Sequence, residues 1–178
     1  AADQGQQTAV AAAQIGHRDG EPHARPVPDV RNRCDLLGSL EHELRRAIER
    51  EELFLYYQPK WSLETLQLIG AEALIRWRHP TFGDVPPEHF IALAEENGMI
   101  LQIGDWVLEQ ACRQLHLWRK SYDDFGPLSV NLAGAQLRHP NLLGRIEQLL
   151  QDNRLEPGCL QLEITENFIM SQAEEALE

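Results

Sequence analysis

The sequence has no hydrophobic run that approaches the length of a membrane span, which is about 20 residues. Its first residues lack the basic and apolar segments of a signal peptide. Its three cysteines, Cys34, Cys112 and Cys159, are odd in number and far apart, so the sequence predicts neither a disulfide framework nor a zinc knuckle. Together these absences favour a reducing, cytoplasmic setting, in which a longer parent protein could still carry a membrane anchor.

Positive charge is also scarce, with 16 Lys and Arg residues against 28 Asp and Glu residues and a net charge of −12. Because attachment to a phosphate polymer needs a surplus of Lys and Arg, we expect no DNA or RNA partner. A small anionic ligand remains compatible with this balance, since a bound metal or a few placed arginines can override the global field locally. A metal site built from carboxylates would fit the sign of the charge.

A change of composition divides the chain near residue 34. Residues 1–34 are rich in Ala, Gln, Gly, Pro, Arg and His without sustained periodicity, which predicts a linker or disordered tail. From Asp35 onward apolar residues recur at three- and four-residue spacing, so we expect an amphipathic helix from Asp35 to about Glu51. Such a helix either joins an upstream module to the next domain or packs on its own domain, and the sequence favours neither interpretation.

Strand and helix patterns then alternate, which predicts an α/β domain with parallel strands. We expect Pro59 to end the first strand and residues 78–84 to form a loop. The predicted elements, in chain order, are strand 53–59, strand 69–77, helix 86–97, helix 105–120, strand 128–132, helix 141–152, strand 160–165 and a helical segment after Ser171.

Each of the last three predicted strands has one apolar parity and one polar parity. Side chains alternate between the two faces of a strand, so we expect the apolar parity to face the helices. If the polar parity lines a barrel interior, its members gather at the mouth formed by the C-terminal strand ends, where barrel enzymes hold their chemistry. These residues are Glu72, Leu74 and Arg76, then Ser129 and Asn131, then Gln161, Glu163 and Thr165.

Glu72, Asn131 and Glu163 provide oxygen donors from three strands, which is the ligand type that Mg²⁺ or Mn²⁺ prefers. The alternative is a structural network in which Glu72 pairs with Arg76, which lies four residues later on the same face of the strand. From composition and parity alone, the sequence predicts an α/β domain with a divalent-metal site.

The segment Gly-Ala-Glu-Ala-Leu-Ile-Arg-Trp at residues 70–77 resembles the signature of the EAL family of bacterial cyclic di-GMP phosphodiesterases. The resemblance extends from about residue 40 to residue 178, because further segments lie upstream and downstream in the order typical of that family. They are residues 55–59, His79-Pro80, Pro87, Phe90-Ile91, Ala94-Glu95, residues 130–132 and residues 162–166.

The resemblance implies a modified (β/α)8, TIM-like barrel whose first strand runs antiparallel to the others. A complete barrel needs about 250 residues, whereas only about 140 follow the linker. We therefore interpret residues 35–178 as the N-terminal portion of an EAL domain. The Asp-Asp-Phe-Gly strand end and the later lysine of the family are missing, and Asp123-Asp124-Phe125-Gly126 precedes Asn131, where we expect only a solvated turn.

The resemblance also implies roles for single residues. Mg²⁺ or Mn²⁺, in a two-metal site when the domain is complete, would be held by Glu72, Asn131 and Glu163. Arg76 would hold a phosphate, and Gln58 and Leu74 would line the dinucleotide site. Glu166, which supports an active-site loop in the family, joins Glu72 and Glu163 among the implied catalytic residues.

The implied activity is metal-dependent hydrolysis of cyclic di-GMP to linear pGpG in bacterial second-messenger signalling, and we expect the fragment alone to be inactive. The alternative is a non-catalytic, EAL-like receptor for cyclic di-GMP or a protein-interaction module. For the complete protein we expect a homodimer, with a sensory or GGDEF-type domain upstream.

Overall fold

The computed structural model describes residues 33–122 and 125–164. Helices and strands alternate along most of this length, as the sequence pattern predicts. The elements are α1 (Arg33–Ala47), β1 (Leu53–Trp61), β2 (Leu68–His79), β3 (Gly83–Val85), α2 (Pro87–Glu96), α3 (Ile100–Ser121), β4 (Leu128–Leu132), α4 (Gly134–Leu137), α5 (Leu142–Asp152), a 3₁₀ turn (Pro157–Cys159) and β5 (Leu160–Ile164).

The strands form one mixed sheet in the order β1-β2-β4-β5, and the short strand β3 folds back on β2. Strand β1 runs antiparallel to β2, whereas β2, β4 and β5 are parallel to one another. The parallel strands are connected through helices, as parallel pairing requires. The reversed first strand agrees with the expected topology.

The apolar face of the sheet carries the core. Ala71, Ala73 and Trp77 of β2 are buried against the helix layer, and the ring of Tyr57 packs edge-on against Trp118 of α3 at 4.7 Å. The buried stripe of α3 consists of Ile100, Ile103, Gly104, Val107, Leu108, Ala111, Cys112, Leu115 and Trp118. Burial raises the pKa of the Cys112 thiol to about 11, so this cysteine is a core residue and a poor nucleophile.

Strand β1 continues through Pro59 to Trp61, so the expectation that Pro59 ends the strand is wrong. Proline lacks an N–H group and is tolerated in edge strands, and β1 lies at one edge of the described sheet. The extension adds Lys60 to the strand, where it pairs with Gly70 of β2.

Helix α3 begins at Ile100 and not at Asp105. Ile100 and Ile103 are buried on the same stripe as the later residues, so the helix extends as far back as there is apolar surface to cover. Asp105 instead accepts two hydrogen bonds from Arg145 of α5, at 2.5 and 3.0 Å.

Helix α1 begins at Arg33, two residues before the expected start, and ends at Ala47, about four residues before the expected end. It packs on its own domain, because Leu40, Leu44 and Ala47 are buried in the core.

His79 is the last residue of β2 and does not lie in a loop. Its Nδ1 accepts the backbone N–H groups of Thr81 and Phe82, both at 3.1 Å. The proton therefore lies on Nε2, which is 3.4 Å from Glu43 of α1. His79 thus closes the turn into β3 and contacts the first helix.

Across residues 33–122 and 125–164, none of the helices is both long and apolar enough to cross a membrane. The expected helical segment after Ser171 lies outside the described residues.

Two glycines allow the β2 strand to pass beside the segment that leads into β4. A Cβ atom on Gly126 would lie 2.0 Å from the carbonyl oxygen of Ile69, and one on Gly70 would lie 2.4 Å from that of Pro127. The N–H of Ala71 donates to the Pro127 carbonyl at 3.1 Å. Phe125 is buried and packs on Trp118, so this segment is more than the solvated turn we expected; Asp123 and Asp124 themselves are outside the described residues.

We predict that Gly126→Ala lowers the free energy of unfolding by about 1–3 kcal/mol, because the new methyl group would force backbone atoms apart. Gly144→Ala is the matched control, since nothing lies within 4 Å of a Cβ at that helical position. The control should be neutral or stabilising by up to about 1 kcal/mol. Urea denaturation followed by circular dichroism measures both, and equal midpoints for the two variants would contradict the close contact.

Candidate metal and dinucleotide site

The polar face of the sheet brings the sequence-predicted site residues together across four strands, in two neighbouring rows. Gln58 of β1 pairs with Glu72 of β2, and Glu72 pairs in turn with Ser129 of β4. Asn131 pairs with Glu163 of β5. Because directly paired residues point to the same side of a sheet, these side chains share the face opposite the helices.

Glu72 is oriented by Asn131. The Asn131 amide donates a hydrogen bond from Nδ2 to Glu72 Oε1 at 2.7 Å. The amide oxygen of Asn131 is therefore turned away from the bonded carboxylate oxygen, and both it and the second Glu72 oxygen can accept a further partner. The bond joins two neighbouring strands, as expected for residues that converge on one site.

Arg76 contacts the strand backbone and an aromatic ring, and it does not contact Glu72. Its Nη1 donates to the carbonyl oxygen of Ile75 at 2.8 Å, and its guanidinium lies 5.6 Å from the ring centre of Tyr56. Within the described part of the chain the two residues form no ion pair with each other, so the alternative of a Glu72–Arg76 structural network is not supported. The aromatic ring leaves most of the guanidinium's donors available to a ligand.

Lys60 is a member of this face that the sequence analysis missed. Its Nζ donates to Ser129 Oγ at 2.6 Å and to Glu163 Oε1 at 2.5 Å. The hydrogen bond from Lys60 holds the pKa of Glu163 below its ordinary value of 4.5. The available signal was the parity of Lys60, which matches that of Gln58, but it is lost when Pro59 is taken as the strand end.

A cavity of about 250 Å³ lies at the C-terminal ends of β2 and β4, and residues of helices α2 and α3 also line it. Leu74, Arg76 and Asn131 contribute to its lining, together with apolar residues such as Ile91 and Val107. Mostly apolar walls with a few polar groups are typical of small-molecule sites. Leu74 and Arg76 thus line the same cavity as Asn131, and their expected roles stay predictions.

Gln58 is exposed beside Glu72, which leaves its amide free to face solvent or a ligand. Glu166 and Thr165 lie outside the described residues, so the expected role of Glu166 stays a prediction.

The donor set fits a hard divalent cation. Two carboxylates and one amide oxygen from three adjacent strands are the ligands that Mg²⁺ and Mn²⁺ prefer. Residues 33–122 and 125–164 contain no cluster of three or more His, Cys, Asp and Glu side chains. Glu72 and Glu163 are thus the two carboxylates of the candidate site in the described part of the chain, with Asn131 as the amide donor.

The chain is similar to known proteins in family, in sequence and in structure. The model of the EAL domain family matches residues 41–178. The chain is similar to MucR of Pseudomonas aeruginosa, named a bifunctional diguanylate cyclase/cyclic di-GMP phosphodiesterase, with 44% identity over 138 residues that cover 78% of this chain and 20% of MucR. It is also similar to the cyclic di-GMP phosphodiesterase NbdA of the same organism, with 38% identity over 138 residues that cover 78% of this chain and 18% of NbdA.

Among solved structures, the chain is similar to a complex of the PaMucR phosphodiesterase with c-di-GMP. The TM-score is 0.72 with 43% identity, and the match covers 78% of this chain and 56% of that one. The chain thus spans about a fifth of the two curated relatives and about half of the solved domain. This likeness confirms the expected fold class, an α/β barrel of the EAL type that is incomplete in this chain.

The ion pair between Glu163 and Lys60 predicts a pH-dependent contribution to stability. Because the folded-state pKa of Glu163 lies below its ordinary value of 4.5, the contribution is complete above that pH and is lost as the pH falls through the lowered pKa. Glu163→Gln should therefore destabilise the chain at pH 7 and have little effect near the acid limit of folding. Glu147→Gln on the exposed face of α5 is the control. Denaturation midpoints measured from about pH 7 to pH 3 test this, and a Glu163→Gln effect that is independent of pH would contradict it.

Proposed function

Because the chain belongs to the EAL-domain family, we propose that it is part of a metal-dependent phosphodiesterase that hydrolyses cyclic di-GMP to linear pGpG. The observation that carries this proposal is the alignment of Glu72, Asn131 and Glu163 on one face of three adjacent parallel strands. The names of the MucR and NbdA relatives and the c-di-GMP in the solved PaMucR complex support the choice of substrate.

Glu72, Asn131 and Glu163 would hold Mg²⁺ or Mn²⁺ through their side-chain oxygens, in a two-metal site when the domain is complete. Such a cation, when bound, supplies a water of lowered pKa and neutralises charge on the phosphodiester. The hydrogen bond from Asn131 to Glu72 fixes the carboxylate before a cation arrives. Pre-set ligands of this kind need less reorganisation on binding.

Arg76 would bind a non-bridging phosphate oxygen of the dinucleotide. A guanidinium presents paired N–H donors that match phosphate geometry, which a lysine cannot do. Tyr56 lies beneath the guanidinium and restricts its motion. Leu74 and Gln58, on either side of Glu72, would line the dinucleotide site, and Glu166 would support an active-site loop.

The activity of a whole protein requires more than this chain. The match covers 56% of the PaMucR phosphodiesterase chain, and we therefore expect no appreciable turnover by the 178 residues alone. We propose that the complete protein works as a homodimer and that a sensory or GGDEF-type domain lies upstream. The double activity in the name of MucR supports the second of these proposals.

We predict that Glu72→Gln in the complete EAL domain lowers kcat for cyclic di-GMP by at least about a hundredfold, because a neutral amide is a weak ligand for Mg²⁺. Glu64→Gln, at an exposed position in the β1–β2 turn, should retain full activity. Release of pGpG followed by chromatography, with Mg²⁺ or Mn²⁺ supplied, measures both. Tight binding of cyclic di-GMP without hydrolysis by the unmodified domain would instead support a receptor.

We predict that Arg76→Lys weakens binding of cyclic di-GMP by about tenfold, because the lysine keeps the charge but loses the forked hydrogen bonds. Arg113→Lys is the matched control, since Arg113 lies on the exposed face of α3 and pairs with Glu109. Isothermal titration calorimetry in Ca²⁺, a hard cation that should support binding with little turnover, measures both affinities. Equal affinities for the two variants would show that Arg76 does not hold the phosphate.

A further inference from the structure

Lys60 joins the candidate metal site from the opposite side to the cavity. Its ammonium group lies between Ser129 Oγ at 2.6 Å and Glu163 Oε1 at 2.5 Å. Its side chain is only 34% exposed, and Ser129 is fully buried. The ammonium is thus held against the polar face, in a partly exposed pair with Glu163, whose side chain is 39% exposed.

The hydrogen-bond directions fix this arrangement. Ser129 has a single hydroxyl proton, which it donates to Gln161 Oε1 at 3.1 Å, so towards Lys60 it can only accept. Ser129 and Glu163 are both acceptors, and the lysine is the donor to each. The groups that face the ammonium from β4 and β5 therefore select a cation at this position.

This cation is bound to one oxygen of a carboxylate that the proposed function assigns to a metal. A divalent cation that uses Glu163 would meet a positive charge already on the same carboxylate. Two cations a few ångströms apart in a partly buried site repel each other much more strongly than in bulk water. A metal ion that binds Glu163 must therefore either displace the Lys60 ammonium from this carboxylate or bind despite electrostatic repulsion from it.

We propose that Lys60 is a positioning residue that serves as an internal counter-cation: it holds Glu163 in place while no metal is bound, and it lowers the affinity of the site for the divalent cation. This inference rests on the proposed function, because it takes Glu163 as a metal ligand. The consequence is a site that binds Mg²⁺ or Mn²⁺ reversibly and responds to the available metal concentration.

A purely structural ion pair would have a different signature. Loss of a structural pair changes stability alone, whereas loss of a counter-cation changes metal affinity in the direction of tighter binding. The sequence offers a direct comparison, because Lys60 and Lys120 are its only two lysines. Lys120 is exposed near the C-terminal end of α3.

The first test is Mn²⁺ binding to the purified complete EAL domain, measured by the loss of the free-ion electron paramagnetic resonance signal. Lys60→Met should bind Mn²⁺ about tenfold more tightly than the wild type, and Lys60→Arg, which keeps the charge, should bind with nearly wild-type affinity. Lys120→Met should match the wild type. Circular dichroism confirms that each variant is folded, and if Lys60→Met does not fold, Lys60→Gln replaces it.

The second test needs no substitution at Lys60. A mild amine-acylating reagent modifies Lys60 and Lys120 at rates that mass spectrometry separates. Saturating Mg²⁺ should raise the acylation rate of Lys60 relative to Lys120, because the metal displaces the ammonium from Glu163. The same addition to the Glu163→Gln variant should leave the ratio unchanged.

Equal or weaker Mn²⁺ binding by Lys60→Met, or an acylation ratio that Mg²⁺ does not change, would overturn the role of Lys60. Absence of Mn²⁺ binding in all variants would overturn it as well. The first two results leave the proposed function intact, whereas absence of Mn²⁺ binding in all variants counts against both proposals. The separate hydrolysis test of Glu72→Gln in the complete domain decides the proposed function.

Discussion

Strand β2 must satisfy two environments at once, and the described fold depends on that constraint. Its backbone pairs with β1 on one side and with β4 on the other, while Ala71, Ala73 and Trp77 pack beneath helices. Glu72 and Arg76 alternate with them on the other face. Because the side-chain period is two, a slip of one residue would bury both charges in the helix layer. The close passage of β2 past Pro127 opposes such a slip.

The charges on the polar face are matched locally. Glu72 accepts a hydrogen bond from an amide, Glu163 accepts one from an ammonium, and Arg76 lies over an aromatic ring. This face thus carries two carboxylates and two cations, in a chain whose overall charge is −12. A bound divalent cation would make this face positive, which a phosphodiester ligand requires in an otherwise acidic protein. Under the proposed function, metal binding and ligand binding would therefore be coupled through charge.

Parity was the most informative property of the sequence, because strand alternation is a geometric rule that tertiary context does not override. It placed Glu72, Asn131 and Glu163 on one face, and the family resemblance supplied the reversed direction of β1. Lys60 was missed because proline is a strand breaker only where its N–H would be needed, and that depends on whether the strand lies at an edge. The start of α3 was misplaced for a similar reason: the amount of apolar surface available to Ile100 is a property of the packed domain. Whether Glu72 would pair with Arg76 or Asn131 could not be predicted either, since both lie within reach along the sheet.

The antiparallel direction of β1 determines where the polypeptide enters the barrel. A parallel first strand would begin at the base of the sheet, far from the residues that would bind the ligand. Here Leu53, the first residue of β1, lies opposite Trp77 near the C-terminal end of β2. Helix α1 is consequently delivered to the rim of the barrel, where Glu43 approaches His79, three positions beyond Arg76. The C-terminal half of α1 therefore lies beside the same strand end that carries Arg76.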